Sequence, residues 1–223
     1  MATMAAPRRD TRDRMIRSAA RVFQRQGFVG AGLRDILLES GAPRGSFYFH
    51  FPGGKEELGV EAASFWRQSI MDLVDRSAAR AGDAAEFVAM SARALAKAME
   101  RSGFVEGCPV AITALEMAPQ SDLLRVACDE MFLGWQQALR RHLVAGHVDE
   151  ERASSLAMLA VSMLEGALIL SRTSLSTKPL VIAGDELAEL VRAAVPASRP
   201  RVQERPSTRR ASSGLKRAIT TRG

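Results

Sequence analysis

Apolar residues recur every three to four positions along most of the chain, and no β-branched alternation with the period of two argues for strands. From Thr11, the stretch "TRDRMIRSAARVFQRQG" sets Met15, Ala19, Val22 and Phe23 on one helical face, with Gly27 as a stop. "LRDILLESG" repeats this in shorter form: Leu33, Ile36 and Leu37 share a face, and Gly41 supplies a left-handed ending. Pro43 stands where a helix can begin, because its missing N–H would be unpaired in the first turn anyway. A third short helix is therefore expected from about Pro43 to His50, closed by "FPGG". A long helix follows from Lys55 to about Ala79, with Leu58, Ala62, Phe65, Trp66, Ile70, Leu73 and Val74 on its apolar face. Beyond "RAGD" the helical pattern returns in "AAEFVAMSARALAKAME", "CPVAITALEMA", "DLLRVACDEMFLGWQQALRRHLV", "ASSLAMLAVSMLEGALILSRT" and "DELAELVRAAV". Gly, Pro, Asp or Ser bounds each piece, and the expected fold is all-α.

Two short helices joined at "SGAP", with a longer helix ahead of them, have the sequence form of a helix-turn-helix. A 100° rotation per residue along the third helix turns Phe47 and Phe51 inward. The opposite face centres on Gly45 and Phe49, flanked by Tyr48 and His50, with Ser46 beside His50. "APRGSFYFHF" holds four of the twelve aromatic residues of the chain, so this face is unusual for one meeting only water. Gly45 lets a backbone approach closely, Arg44 can donate two bonds to guanine, and the Phe49 ring suits a thymine methyl in a major groove. Tyr48 and His50 are placed to reach phosphates on either side. The competing reading is a small aromatic microcore under a loop, with His50 hydrogen-bonded at a helix end.

The formal charge of +6 is unevenly spread. Residues 1–55 hold ten Lys/Arg against four Asp/Glu, residues 56–195 hold thirteen against twenty, and residues 196–223 hold eight against one. Basic ends around an acidic middle fit a protein whose first part meets polyphosphate. A solvated surface with a basic tail has the same distribution.

The segment from Thr11 to Leu58 resembles the DNA-binding domain of the TetR family of transcriptional repressors, through "AARVFQRQGF", "LRDILLESGAPRGSFYFHF" and "GGKEEL". "SGAPRGSFYFHFPGGKEEL" and "GCPVAITALE" are similar to the branch named after the LmrA and YxaF repressors. The resemblance implies a homodimer whose amino-terminal helix-turn-helix domain binds double-stranded operator DNA and whose larger domain binds a small-molecule effector. It places Arg34 and Arg44 at base-contacting positions, with Gly45, Ser46 and Phe49 facing the groove and Tyr48, His50 and Lys55 at phosphates. Ala31 departs from the family's usual threonine, leaving Gly32 to cap the second helix. The last two helices, about 149–174 and 184–195, are expected to pair with their copies. The effector is expected among Phe104, Cys108, Ile112, Glu116, Met131, Trp135, Met158 and Glu165, as an apolar or aromatic molecule. Glu116 and Glu165 stand out, since a carboxylate within an apolar run needs a partner if buried.

The expected organisation is a flexible start at 1–10, a DNA-binding domain at 11–55, an effector-binding and dimerisation domain at 56–195, and a disordered basic tail at 196–223. The expected function is a repressor released from its operator by the effector; the alternative is a constitutive regulator without a ligand. An enzyme is not expected. "HFPGGKEE" resembles a phosphate loop, but Phe49 stands where its first glycine belongs and Glu56 where it needs Ser or Thr. No cofactor or metal site is expected, since His142 and His147 lie five residues apart on different helix faces. Cys108 and Cys128 have no metal or redox spacing. The longest apolar run, 156–170, contains Glu165 and is shorter than the ~20 residues of a membrane span. A cytoplasmic protein with no membrane partner is the expectation.

Overall fold

The structure is a computed structural model and describes residues 8–196. Its helices are α1 (Arg8–Gly30), α2 (Leu33–Ser40), α3 (Phe47–His50), α4 (Gly54–Ala78), α5 (Ala84–Arg101), α6 (Pro109–Met117), α7 (Asp122–Ala145), α8 (Glu150–Ser174) and α9 (Lys178–Ala194). A 3₁₀ turn, Arg44–Ser46, leads into α3. All regular structure among the described residues is helical.

Local chemistry sets most boundaries. The side chains of Asp83, Ser121 and Asp149 accept backbone N–H bonds at the starts of α5, α7 and α8, satisfying donors that a first turn leaves open. α1 is broken at Gly27, whose φ of 76° and ψ of 173° are open to glycine and strained for other residues. Three boundaries differ from expectation. α1 is already helical at Arg8, where the start was expected to be flexible, and an Asp10–Arg14 ion pair of 2.8 Å braces its first turns. Pro43 is an extended N-cap (φ −63°, ψ 136°) ahead of the 3₁₀ turn and is not itself in a helix. α9 begins at Lys178, six residues before the expected 184, because Pro179 fits a first turn and Leu180 is buried. The expected basic tail beyond Pro196 lies outside the described residues.

Two main apolar clusters organise the chain. The first joins Met15, Ala19, Val22 and Phe23 of α1 to Ile36 and Leu37 of α2, Phe47 and Phe51 around α3, Leu58 and Ala62 of α4, and Leu124 of α7. Glu39 of α2 lies between Arg21 and Arg25 of α1. Burial opposes its ionisation, but the two arginine hydrogen bonds outweigh that and hold its carboxyl below the usual range. The second cluster packs α5, α7, α8 and α9, and α5 meets α9 so closely that a Cβ on Gly184 would collide with Ala92. α4 runs between the clusters: Leu58 and Ala62 belong to the first and Val74 to the second.

By length and composition α8 is apolar enough to cross a membrane, because the helix extends well past the apolar run seen in sequence. Ala153, Leu156, Ala157, Ala160, Leu164, Ala167 and Ser171 are buried in the body, whereas Met158, Leu159, Ile169 and Leu170 are exposed.

Candidate DNA interface and effector cavity

Two rings of "FYFHF" point in and two point out. Phe47 and Phe51 are 1% and 0% exposed with ring centroids 5.6 Å apart, while Tyr48 and Phe49 are 67% and 59% exposed. The inward pair closes the first cluster, which fixes the outward direction of the rest. Arg12 of α1 stacks over Phe51 at 5.2 Å and bonds Glu61 of α4 at 2.6 Å, tying α3 between two long helices. On the outer side Arg44 and Gly45 are exposed, and Ser46 is half-buried with its hydroxyl donating to the Pro43 carbonyl at 2.7 Å. His50 is half-buried between Phe49 and Phe51, with centroids at 5.2 and 6.5 Å. Arg34, in the first turn of α2, is exposed. Neither Arg34 nor Arg44 pairs with an acid among the described residues, so both guanidiniums remain available to bases or phosphates.

Lys55, expected at a phosphate, lies against the end of α1. Its ammonium donates to the Val29 carbonyl at 3.4 Å and lies 4.7 Å from the Phe28 ring centre. Burial lowers its pKa, and Glu116 partly offsets this. Ala31 is buried and Gly32 caps α2 without a side-chain bond, as the missing threonine requires.

If Arg44 reads a guanine, Arg44→Ala costs ~1–3 kcal/mol on the operator and little on a scrambled duplex. Fluorescence anisotropy with both duplexes at several salt concentrations measures this. Equal losses on the two would leave Arg44 a phosphate contact only.

Behind the DNA-facing helices lies a cavity of about 200 Å³. Gln24 of α1, Trp66 and Ile70 of α4, Leu95 and Met99 of α5, Trp135 of α7 and Leu164 and Glu165 of α8 line it, together with Glu106, Gly107 and Cys108 before α6. Of the expected set, the structure brings together Cys108, Trp135 and Glu165. The other five stand elsewhere. Met131 packs with Val110, Cys128 and Trp135, Met158 is 59% exposed on the outer side of α8, and Phe104 packs against the second cluster with φ at 64°. Ile112 lies against Gly107 outside the lining. Glu116 reaches α1, where it accepts the Val29 N–H at 2.9 Å and fills the space that a Cβ on Gly27 would need.

Gln24 and Glu106 are cavity residues that the pattern could not reveal. Gln24 is 6% exposed although its neighbours in "FQRQG" read as a polar face, and Glu106 stands in a loop without periodicity. Burial pushes Glu165 up to about 7, with a hydrogen bond to Cys108 acting against the shift. The same burial, reinforced by the Glu165 charge, raises the Cys108 thiol well above its ordinary value, so it is a neutral wall group and not a thiolate.

A trihelical unit with an outward recognition turn, carried on a helical body with its own cavity, defines a helix-turn-helix DNA-binding transcriptional regulator. Residues 15–62 match the model for bacterial regulatory proteins of the tetR family, and residues 84–186 match that for the C-terminal domain of LmrA/YxaF-like transcriptional regulators. The HTH-type transcriptional regulator YxaF of Bacillus subtilis is 35% identical over 185 residues, which cover 83% of this chain and 97% of that one. LmrA of the same organism is 35% identical over 172 residues, covering 77% and 92%. A TetR transcriptional regulator from Chloroflexus aurantiacus superposes with a TM-score of 0.71 at 26% identity, over 84% of this chain and 96% of that one. The chain belongs to the TetR family, in its LmrA/YxaF-like branch, and is a transcriptional regulator, not an enzyme.

Proposed function

We propose that the protein is a homodimeric repressor that leaves its operator when a small, largely apolar effector fills the cavity. The observation that carries this reading is the direct bonding of the cavity wall to the first DNA-binding helix. The Gly107 N–H donates to the Gln24 carbonyl and the Gln24 side-chain amide donates back to the Gly107 carbonyl, both at 3.4 Å. Arg172 of α8 donates to the next carbonyl, Arg25, at 3.4 Å. The break at Gly27 frees these last-turn carbonyls of α1, and the body takes them up. A ligand that displaces the Glu106–Cys108 wall therefore acts on α1 without an intermediary. Release of DNA requires it to favour the displaced arrangement, by linkage.

The DNA-contacting residues in this reading are Arg34, Arg44, Gly45, Ser46, Tyr48, Phe49 and His50, with Lys55 reaching phosphate only if it leaves Val29. Residues 11–55 form the DNA-binding unit and 56–195 the effector and dimer unit, with α4 shared. The exposed stripe of α8 and Ile182 of α9 supply the dimer face, where Gly166 has open space beside it.

The test is an effector screen by thermal shift, followed by operator release. Gln24→Ala is expected to keep operator affinity within about threefold and to remove most of the ligand's effect on it, typically ~1–3 kcal/mol of coupling. Ligands that bind the body and leave operator affinity unchanged would make the protein a constitutive regulator.

A further inference from the structure

We propose that the cavity selects a small organic cation: one aromatic or branched apolar body carrying a positively charged nitrogen that settles against Glu165. This rests on the cavity being the effector site. Its ionisable lining residues are Glu106, Cys108 and Glu165, and no Lys, Arg or His is among the lining. The remaining wall, from α1, α4, α5, α6, α7 and α8, is neutral and includes the indoles of Trp66 and Trp135. Indole faces attract cations, and they do so more strongly in a site shielded from water.

Each charge type of ligand meets a different fate here. An anion would enter beside two carboxyl side chains, offset by no basic side chain of the lining and only from behind Gly107 by Arg172. A neutral ligand would fill the volume but leave Glu165 with the Cys108 thiol as its hydrogen-bonding partner, a weak one. Arg172, two turns along α8, lies outside the lining, with one terminal nitrogen on the Arg25 carbonyl and the other beside Gly107. Neither Glu106 nor Glu165 has an ion-pair partner among the described residues. A cation supplies the missing partner, and the attraction is large because the surroundings are poorly polarisable. The volume of about 200 Å³ sets the size. An apolar cavity of about 150 Å³ holds benzene, so one ring with a compact substituent fits.

Protonation adds a signature. With its carboxyl near 7, Glu165 is about half protonated at neutral pH before the ligand arrives. A bound cation favours the carboxylate, so binding releases a proton and affinity rises with pH through that range. Cys108 stays neutral throughout, since its thiol is pushed well above the ordinary value.

Calorimetry on the full-length protein tests this with two probes of one shape, benzyltrimethylammonium and the uncharged neopentylbenzene, and with the smaller anionic phenylacetate. The quaternary probe does not titrate, so any pH slope belongs to the protein. The expected result is at least tenfold preference for the cation over its neutral isostere, and a rise of about tenfold in its affinity between pH 6 and 8. Glu165→Gln should remove both the preference and the slope, with a thermal melt close to that of the unsubstituted protein showing that the variant is folded. Glu106→Gln should weaken the cation and leave the slope. Equal or tighter binding of neopentylbenzene, or a preference that survives Glu165→Gln, overturns the cation proposal and leaves the effector site standing. Binding of none of the three removes the cavity as a ligand site, and the proposal with it.

Discussion

Phe51→Ala is expected to unfold the DNA-binding unit while the body stays folded. Phe51 is 0% exposed, stacked on Phe47 and covered by Arg12, in a cluster built from four helices and the turn around α3. Removing a buried ring costs ~3–5 kcal/mol, through lost transfer energy and the cavity left behind. That is a large share of the stability of a unit this small. The second cluster, of α5, α7, α8 and α9 with Val74 of α4, shares no residue with the first and should retain its own transition. Thermal melts followed by circular dichroism, with limited proteolysis between α1 and α4, separate the two. Operator binding should vanish with the first transition. A variant that melts as one unit and still binds operator would show that Phe51 is not what holds the recognition turn.

Leu170→Glu is expected to give a monomer that no longer holds its operator. Leu170 is 59% exposed on α8, in the stripe with Met158 and Ile169 that the proposed dimer covers. An isologous interface receives every substitution twice, so the variant would bury two carboxylates near a two-fold axis. An uncompensated buried charge costs ~3–5 kcal/mol. Operator binding by two recognition helices depends on their linkage, so most specific affinity should go with the dimer. Sedimentation velocity at micromolar concentration reports the mass, and the same sample titrates the operator. A dimer that persists with unchanged operator affinity would place the interface elsewhere and leave the stripe unexplained.

Much of the fold was readable because helix periodicity and terminal signals are local. Gly27 and Gly41 stop their helices because a left-handed or otherwise non-helical backbone suits glycine, and neither requirement depends on distant residues. The start of α9 was misplaced because Pro179 reads equally well as a breaker or a first-turn residue. The choice went to the helix because Leu180 and Ala183 find a buried site in the second cluster. In the same way, the inward turn of Phe47 and Phe51 follows from angular spacing.

The cavity was far less legible. Trp135 and Glu165 stand between 36 and 99 residues of chain from their partners on α4 and α5, and only packing brings them to one wall. Met158 and Glu116 read as wall residues because their helices are apolar. Which face of α8 turns inward is settled by the small residues that fit against its neighbours, and Glu116 is drawn out to α1 by the Val29 N–H that the break at Gly27 leaves unpaired.

By itself, the sequence determined the helices, the recognition turn with its inside and outside, and membership of a regulator family. Each rests on interactions within a few residues or on a contiguous motif. Only the tertiary structure decided that Gln24 is bonded to the cavity wall, that the Lys55 ammonium reaches Val29, and that Glu165 faces a cavity whose lining includes no Lys, Arg or His. Those facts depend on which surfaces meet, and hydrophobic burial, which drives the meeting, is non-directional. It fixes that apolar faces pack, and leaves to shape and hydrogen bonding the choice of which polar groups are carried in with them.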